Sequence, residues 1–97
     1  MRKRGRTDRT QAAIVQALRR AGASVLVLSN VGDGCPDLLC GWQGHSLLLE
    51  VKDGLKRPSQ RRLTADQQAF VETWRGGPVR VVQSVDEAFA VLRECVR

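Results

Sequence analysis

At 97 residues the chain is of single-domain size, enough for one hydrophobic core and not for two. Its 42% apolar and 27% charged residues are those of a folded soluble protein, and no apolar run approaches the roughly 18 residues of a membrane span. The net charge of +6 directs the search for a partner to polyanions, nucleic acid first.

The chain opens with Arg2, Lys3, Arg4 and Arg6 and has no apolar segment behind them, so a secretory signal is not expected. Residues 1–7 read as a flexible basic arm on a single domain spanning 1–97. From 8 to about 21, Ile14, Val15, Leu18 and Ala21 recur at helical spacing, and Gly22 supplies a C-terminal stop. A first strand follows over 25–29. Gly32, Gly34 and Pro36 then mark a turn. Two apolar runs, 37–42 and 45–52, are separated only by Gln43 and Gly44 and form a β-hairpin.

Residues 53–63 are polar and basic, with Gly54 and Pro58, and read as a surface loop. Thr64 with Gln67 is a capping-box signature opening a helix to about 74, closed by Gly76, Gly77 and Pro78. A fourth strand covers 79–83. Ser84 with Glu87 forms a second capping box, ahead of a helix with Val85, Ala88, Phe89, Leu92 and Val96 on its apolar stripe. The expected architecture is α/β in the order α-β-β-β-α-β-α, a mixed sheet flanked by helices.

The hairpin carries the chemistry. A two-residue turn at Gln43 and Gly44 pairs Trp42 with His45, and counting back sets Asp37 opposite Glu50. A four-residue loop preserves this register, whereas a three-residue loop sends the two carboxylates to opposite faces. Directly paired side chains sit about 4.5 to 5.5 Å apart at Cβ, where like charges repel, so a positive group is required between them. Lys52 shares the face of Glu50 by alternation, and a divalent cation with oxygen ligands would neutralise more than one amine does. Read alone, these residues are equally a solvated surface row of weak ion pairs.

Two glutamines shift the balance. Gln67 lies on the helix face of Phe70, Val71 and Trp74, and Gln11 stands in the same relation to Ile14, Val15 and Leu18. Amides on inward faces need polar partners, which a site of carboxylates, amine and water would provide. Lys56, Arg57, Arg61 and Arg62 follow the hairpin at once and are placed to hold phosphates. With at most one tryptophan in any element, no stacking platform for single-stranded bases is visible.

Gly34-Cys35-Pro36-Asp37, then Glu50-Val51-Lys52, then Leu63-Thr64 leading to Gln67, resemble the virus-type replication-repair nuclease (VRR-NUC) family. That family belongs to the PD-(D/E)XK phosphodiesterase superfamily, and this compact sequence is similar to its stand-alone bacteriophage versions. The resemblance runs over nearly the full chain and implies a restriction-endonuclease-like core. It implies Asp37 and Glu50 as ligands of Mg²⁺ or Mn²⁺, with the backbone carbonyl of Val51 beside them. Lys52 would orient the attacking water and stabilise charge on the phosphate, and Gln67 would assist there. Family members often carry a glutamate in the first helix; here Gln11 takes the place, as a neutral contributor through water, with Asp8 a turn earlier. Arg4 and Arg6 join the loop cations as DNA contacts. The implied activity is cleavage of Holliday junctions or other branched DNA by a homodimer, in the cytoplasm of a bacterial or phage-infected cell, with no organic cofactor and no membrane partner.

Other readings are weaker. Cys35, Cys40, His45 and Cys95 suggest zinc, but their spacing lacks the usual short cysteine pairs. Three cysteines, an odd number, fit a reducing compartment. A single histidine, placed at a hairpin tip, gives a serine or cysteine triad no base. A non-catalytic DNA-binding module explains the charge but gives Asp37 and Glu50 no use. Within the nuclease class, a monomer that cuts nicks or flaps is the alternative.

Overall fold

The computed structural model describes residues 6–54 and 62–96. Helix α1 (Arg6–Arg20) is followed by strands β1 (Ser24–Val27), β2 (Leu38–Trp42) and β3 (His45–Val51). Helix α2 (Ala65–Thr73), strand β4 (Val79–Val82) and helix α3 (Val85–Cys95) complete the fold. The strands form one sheet in the order β1-β2-β3-β4, antiparallel except for the parallel pair β3 and β4. The expected element order and mixed sheet are present. Helix α1 begins at Arg6, two residues before the expected start at 8. Arg4 and the cations Lys56, Arg57 and Arg61 lie outside the described residues.

Local chemistry accounts for the boundaries. Helix α1 ends in a Schellman motif: Ala23 N–H donates to Leu18 C=O at 3.0 Å and Gly22 N–H to Arg19 C=O at 3.0 Å. Gly22 makes this turn possible with φ of 99°. The hairpin turn has positive φ at both Gln43 and Gly44, the form whose twist matches the flanking strands. Trp42 therefore pairs with His45, and Leu38 with Leu49. Helix α2 has the full capping box at Thr64 and Gln67. The second box is different: Ser84 caps Glu87 N–H, but the Glu87 carboxylate accepts from Gln83 N–H at 2.8 Å, one residue before the cap.

Alternation divides the sheet into two unlike faces. Val25, Leu38, Cys40, Leu47, Leu49, Val51 and Val82 point to one side and form the core with Ile14, Val15 and Leu18 of α1 and Ala88 and Leu92 of α3. The other side carries Leu26, Leu39 and Leu48 in paired register, and no residue of α2 is buried there. Leu26 remains 59% exposed and Trp74 48%. The stripe of Phe70, Val71 and Trp74 expected on α2 is therefore a partly open surface. Among the described residues no helix is long and apolar enough to cross a membrane.

Candidate active site

The half-open face holds the polar cluster. The hairpin register, continued one step beyond Leu38 and Leu49, sets Asp37 opposite Glu50. On its other side Asp37 C=O accepts from Leu28 N–H at 2.7 Å, which extends the β1 pairing to the same level. Pro36 has no N–H with which to carry the ladder further. The Asp37 carboxylate instead accepts from the Val51 N–H, at 2.8 Å from Oδ2. Because the N–H and C=O of a strand residue point to the same neighbour, the Val51 carbonyl is turned towards Asp37 as well.

Gln67 ties the cluster together. Its Oε1 accepts from Lys52 Nζ at 3.0 Å and from Thr64 N–H at 2.9 Å. Both partners are donors only, so the oxygen of the amide must face them and the nitrogen must face away. That nitrogen donates to Glu50 Oε2 at 2.9 Å. Lys52 Nζ lies 3.8 Å from the same carboxylate oxygen. The ammonium and the neutral amide thus meet Glu50 at one oxygen, while Asp37 is held by the Val51 N–H.

Among the described residues the cluster is short of positive charge: Glu50 is 4% exposed, and its buried Oε1 has no donor among them. Burial, and next the neighbouring Asp37 carboxylate, push the Glu50 carboxyl from the ordinary 4.5 up to about 8, against a smaller opposing pull from Lys52. The Cys35 thiol is also raised, first by its own burial and then by the negative charge of Glu50 and Asp37.

No protein-family model, curated protein or solved structure matches this chain.

Asp37, Glu50, Lys52 and Gln67 are brought together as the sequence suggests. A divalent cation fits the cluster: the orphaned Glu50 oxygen, the adjacent Asp37 carboxylate and the Val51 carbonyl are hard oxygen donors of the kind Mg²⁺ and Mn²⁺ take. Among the described residues no three His, Cys, Asp or Glu side chains form a metal-holding group, so backbone carbonyl and water would have to complete the shell. The Gln11 amide exchanges hydrogen bonds with the Ser29 hydroxyl, at 3.2 and 3.3 Å. The four residues weighed for zinc are dispersed, with Cys40 in the core on the opposite sheet face from Asp37 and Cys95 on α3. Arg62 is exposed just before α2.

Two features are missing from the sequence reading. Gly34, at φ of 76°, lies so close to α2 that a Cβ there would run into the backbone of Asp66 and Gln67. The GCPD turn is thereby pressed against the N-terminus of the helix that supplies Gln67. The second feature is an aromatic pair: Phe70 and Trp74 stack with ring centroids 5.1 Å apart and planes at 14°. Their i, i+4 spacing was visible in the sequence, but the exposure of Trp74 was not.

Proposed function

We propose that this chain is a metal-dependent nuclease that hydrolyses phosphodiester bonds in DNA, built on a PD-(D/E)XK core of the virus-type replication-repair kind. The observation that carries the reading is the Glu50 carboxylate. It is buried, set against a second carboxylate, held by Gln67 and Lys52, and left with one oxygen unserved. Without a cation, burial and the neighbouring Asp37 carboxylate favour the protonated form of Glu50; a divalent ion at the unserved oxygen would favour the carboxylate. A purely DNA-binding module would have no use for such a pair beside the phosphates it must attract.

Bound Mg²⁺ or Mn²⁺ would supply a more acidic water and charge stabilisation at the phosphoryl oxygens. Asp37 and Glu50, with the Val51 carbonyl, would hold it. Lys52, kept in place by Gln67, would point its ammonium at the reacting phosphate and orient the attacking water. The neutral Gln67 amide fixes both Lys52 and Glu50 without adding a third negative charge. Gln11 would contribute through water only on leaving Ser29. Arg62, with Lys56, Arg57, Arg61, Arg4 and Arg6, would hold the DNA backbone, consistent with the net charge of +6. We take branched DNA, Holliday junctions among them, as the substrate of a homodimer.

The test is cleavage of labelled four-way junction, flap and linear duplex with Mg²⁺, Mn²⁺ or EDTA. Asp37→Ala and Lys52→Ala should each lower the metal-dependent rate by about 10²–10⁴-fold. Tight binding without cutting by any form of the protein would favour the non-catalytic DNA-binding module instead. Sedimentation with and without the junction addresses the homodimer: a monomer under both conditions removes paired cutting and leaves a nick- or flap-cutting monomer.

A further inference from the structure

On the sheet face of the carboxylates lies an apolar groove of about 400 Å³, lined by Leu28, Val31, Leu39, Leu48, Phe70 and Trp74. Its lining residues neighbour the polar cluster along three elements. Leu48 and Glu50 are alternate residues of β3, Leu39 and Asp37 are alternate residues along the β2 arm, and Phe70 follows Gln67 by about one helical turn. Cys35, two residues before Asp37, also lines the groove. A strand with its phosphate at Lys52 therefore has the groove directly alongside.

We infer that this groove receives an unpaired base of the DNA strand whose phosphate occupies the Asp37, Glu50 and Lys52 cluster. The inference rests on the nuclease reading and names its substrate class: DNA with an unstacked nucleotide beside the cut, as at a flap or branch point. The chemistry of the lining selects the base over the phosphate. Among the described residues it contains no lysine or arginine and one carboxylate, Asp33, which repels phosphate and can accept from an exocyclic amine. The half-exposed Trp74 ring, backed by Phe70, offers a flat apolar face that any of the four bases can cover. A base inside a duplex has both faces occupied by its neighbours, so only an unpaired one brings a free face to this wall. Val31, 60% exposed, extends the apolar surface outward from the groove.

The test is equilibrium binding in EDTA, read by anisotropy of a labelled flap whose branch-point nucleotide is either thymidine or an abasic site. For the unaltered protein the abasic flap should bind roughly 5- to 150-fold more weakly, the range for stacking one base on an aromatic side chain. Trp74→Ala should lose that much affinity for the thymidine flap and no longer distinguish the two DNAs, while Trp74→Phe keeps most of the discrimination. Equal binding of the two flaps by the unaltered protein overturns the inference, and that arm does not depend on any variant folding. Trp74→Ala weakening both flaps alike also overturns it, as does a dimer lost in Trp74→Ala with base discrimination intact, which would assign the groove to a second copy. Failure of the nuclease reading shows separately, as absence of Mn²⁺-dependent cutting of the same thymidine flap.

Discussion

The side-chain amide of Gln67 donates to Glu50 Oε2 at 2.9 Å while its oxygen takes both Lys52 Nζ and the Thr64 N–H. One residue thus caps its own helix and orders the acid and the amine of the hairpin. The two tasks are separable by substitution. Gln67→Ala removes the bond to Glu50 and half of the capping box, and should destabilise the fold by about 1–2 kcal/mol in urea titration. Gln67→Glu can keep the cap, since a carboxylate still accepts from Thr64 N–H and Lys52. It brings a third carboxylate to the pair and removes the donor to Glu50, so cleavage should fall at least about tenfold. Equal activity of Gln67→Glu and the unaltered protein would show that Gln67 serves only the helix.

The raised Glu50 carboxyl predicts a pH dependence for the metal-free protein. In the unfolded chain this acid loses its proton near 4.5, whereas in the folded protein it keeps it up to about 8. The folded state then binds more protons across that interval, so stability is greatest below 4.5 and declines as pH rises through about 8. The loss is on the order of a few kcal/mol. Urea midpoints between pH 5 and 9 in EDTA should fall for the unaltered protein and show a much flatter profile for Glu50→Gln. Parallel profiles for the two proteins would contradict the assignment.

Gly34 can be tested against a neighbour with the same backbone strain. Gly34 and Gly32 have φ of 76° and 84°, so alanine is unfavourable at both by about 1 kcal/mol. At Gly32 a Cβ meets nothing within 4 Å, whereas at Gly34 it meets the backbone of Asp66 and Gln67. Gly34→Ala should therefore cost about 1–3 kcal/mol more than Gly32→Ala and reduce cleavage as well, by moving Gln67 from Glu50 and Lys52. Equal losses in thermal or urea unfolding would mean that the turn does not bear on α2.

Much of the arrangement was legible from local chemistry. The turn at Gln43 and Gly44 sets the hairpin parity, and parity alone places Asp37 level with Glu50 and on the face of Lys52. Thr64 and Gln67 mark the start of α2 because the box is made of neighbouring residues. Gln11 shows where such reasoning stops. Helical spacing assigns a direction but not the partner, and the partner among the described residues is Ser29, two residues beyond β1.

The sequence by itself determined the order of the elements, the hairpin register and the shared face of Asp37, Glu50 and Lys52, because each depends on residues within one turn or one hairpin. The tertiary structure decided what surrounds that face. It turned α1 and α3 to the opposite side of the sheet, left α2 only lightly packed over the carboxylates, and opened a groove against Trp74. It also buried Glu50 without serving its second oxygen. Burial and partner choice arise from contacts between segments far apart in the chain, which no local pattern encodes.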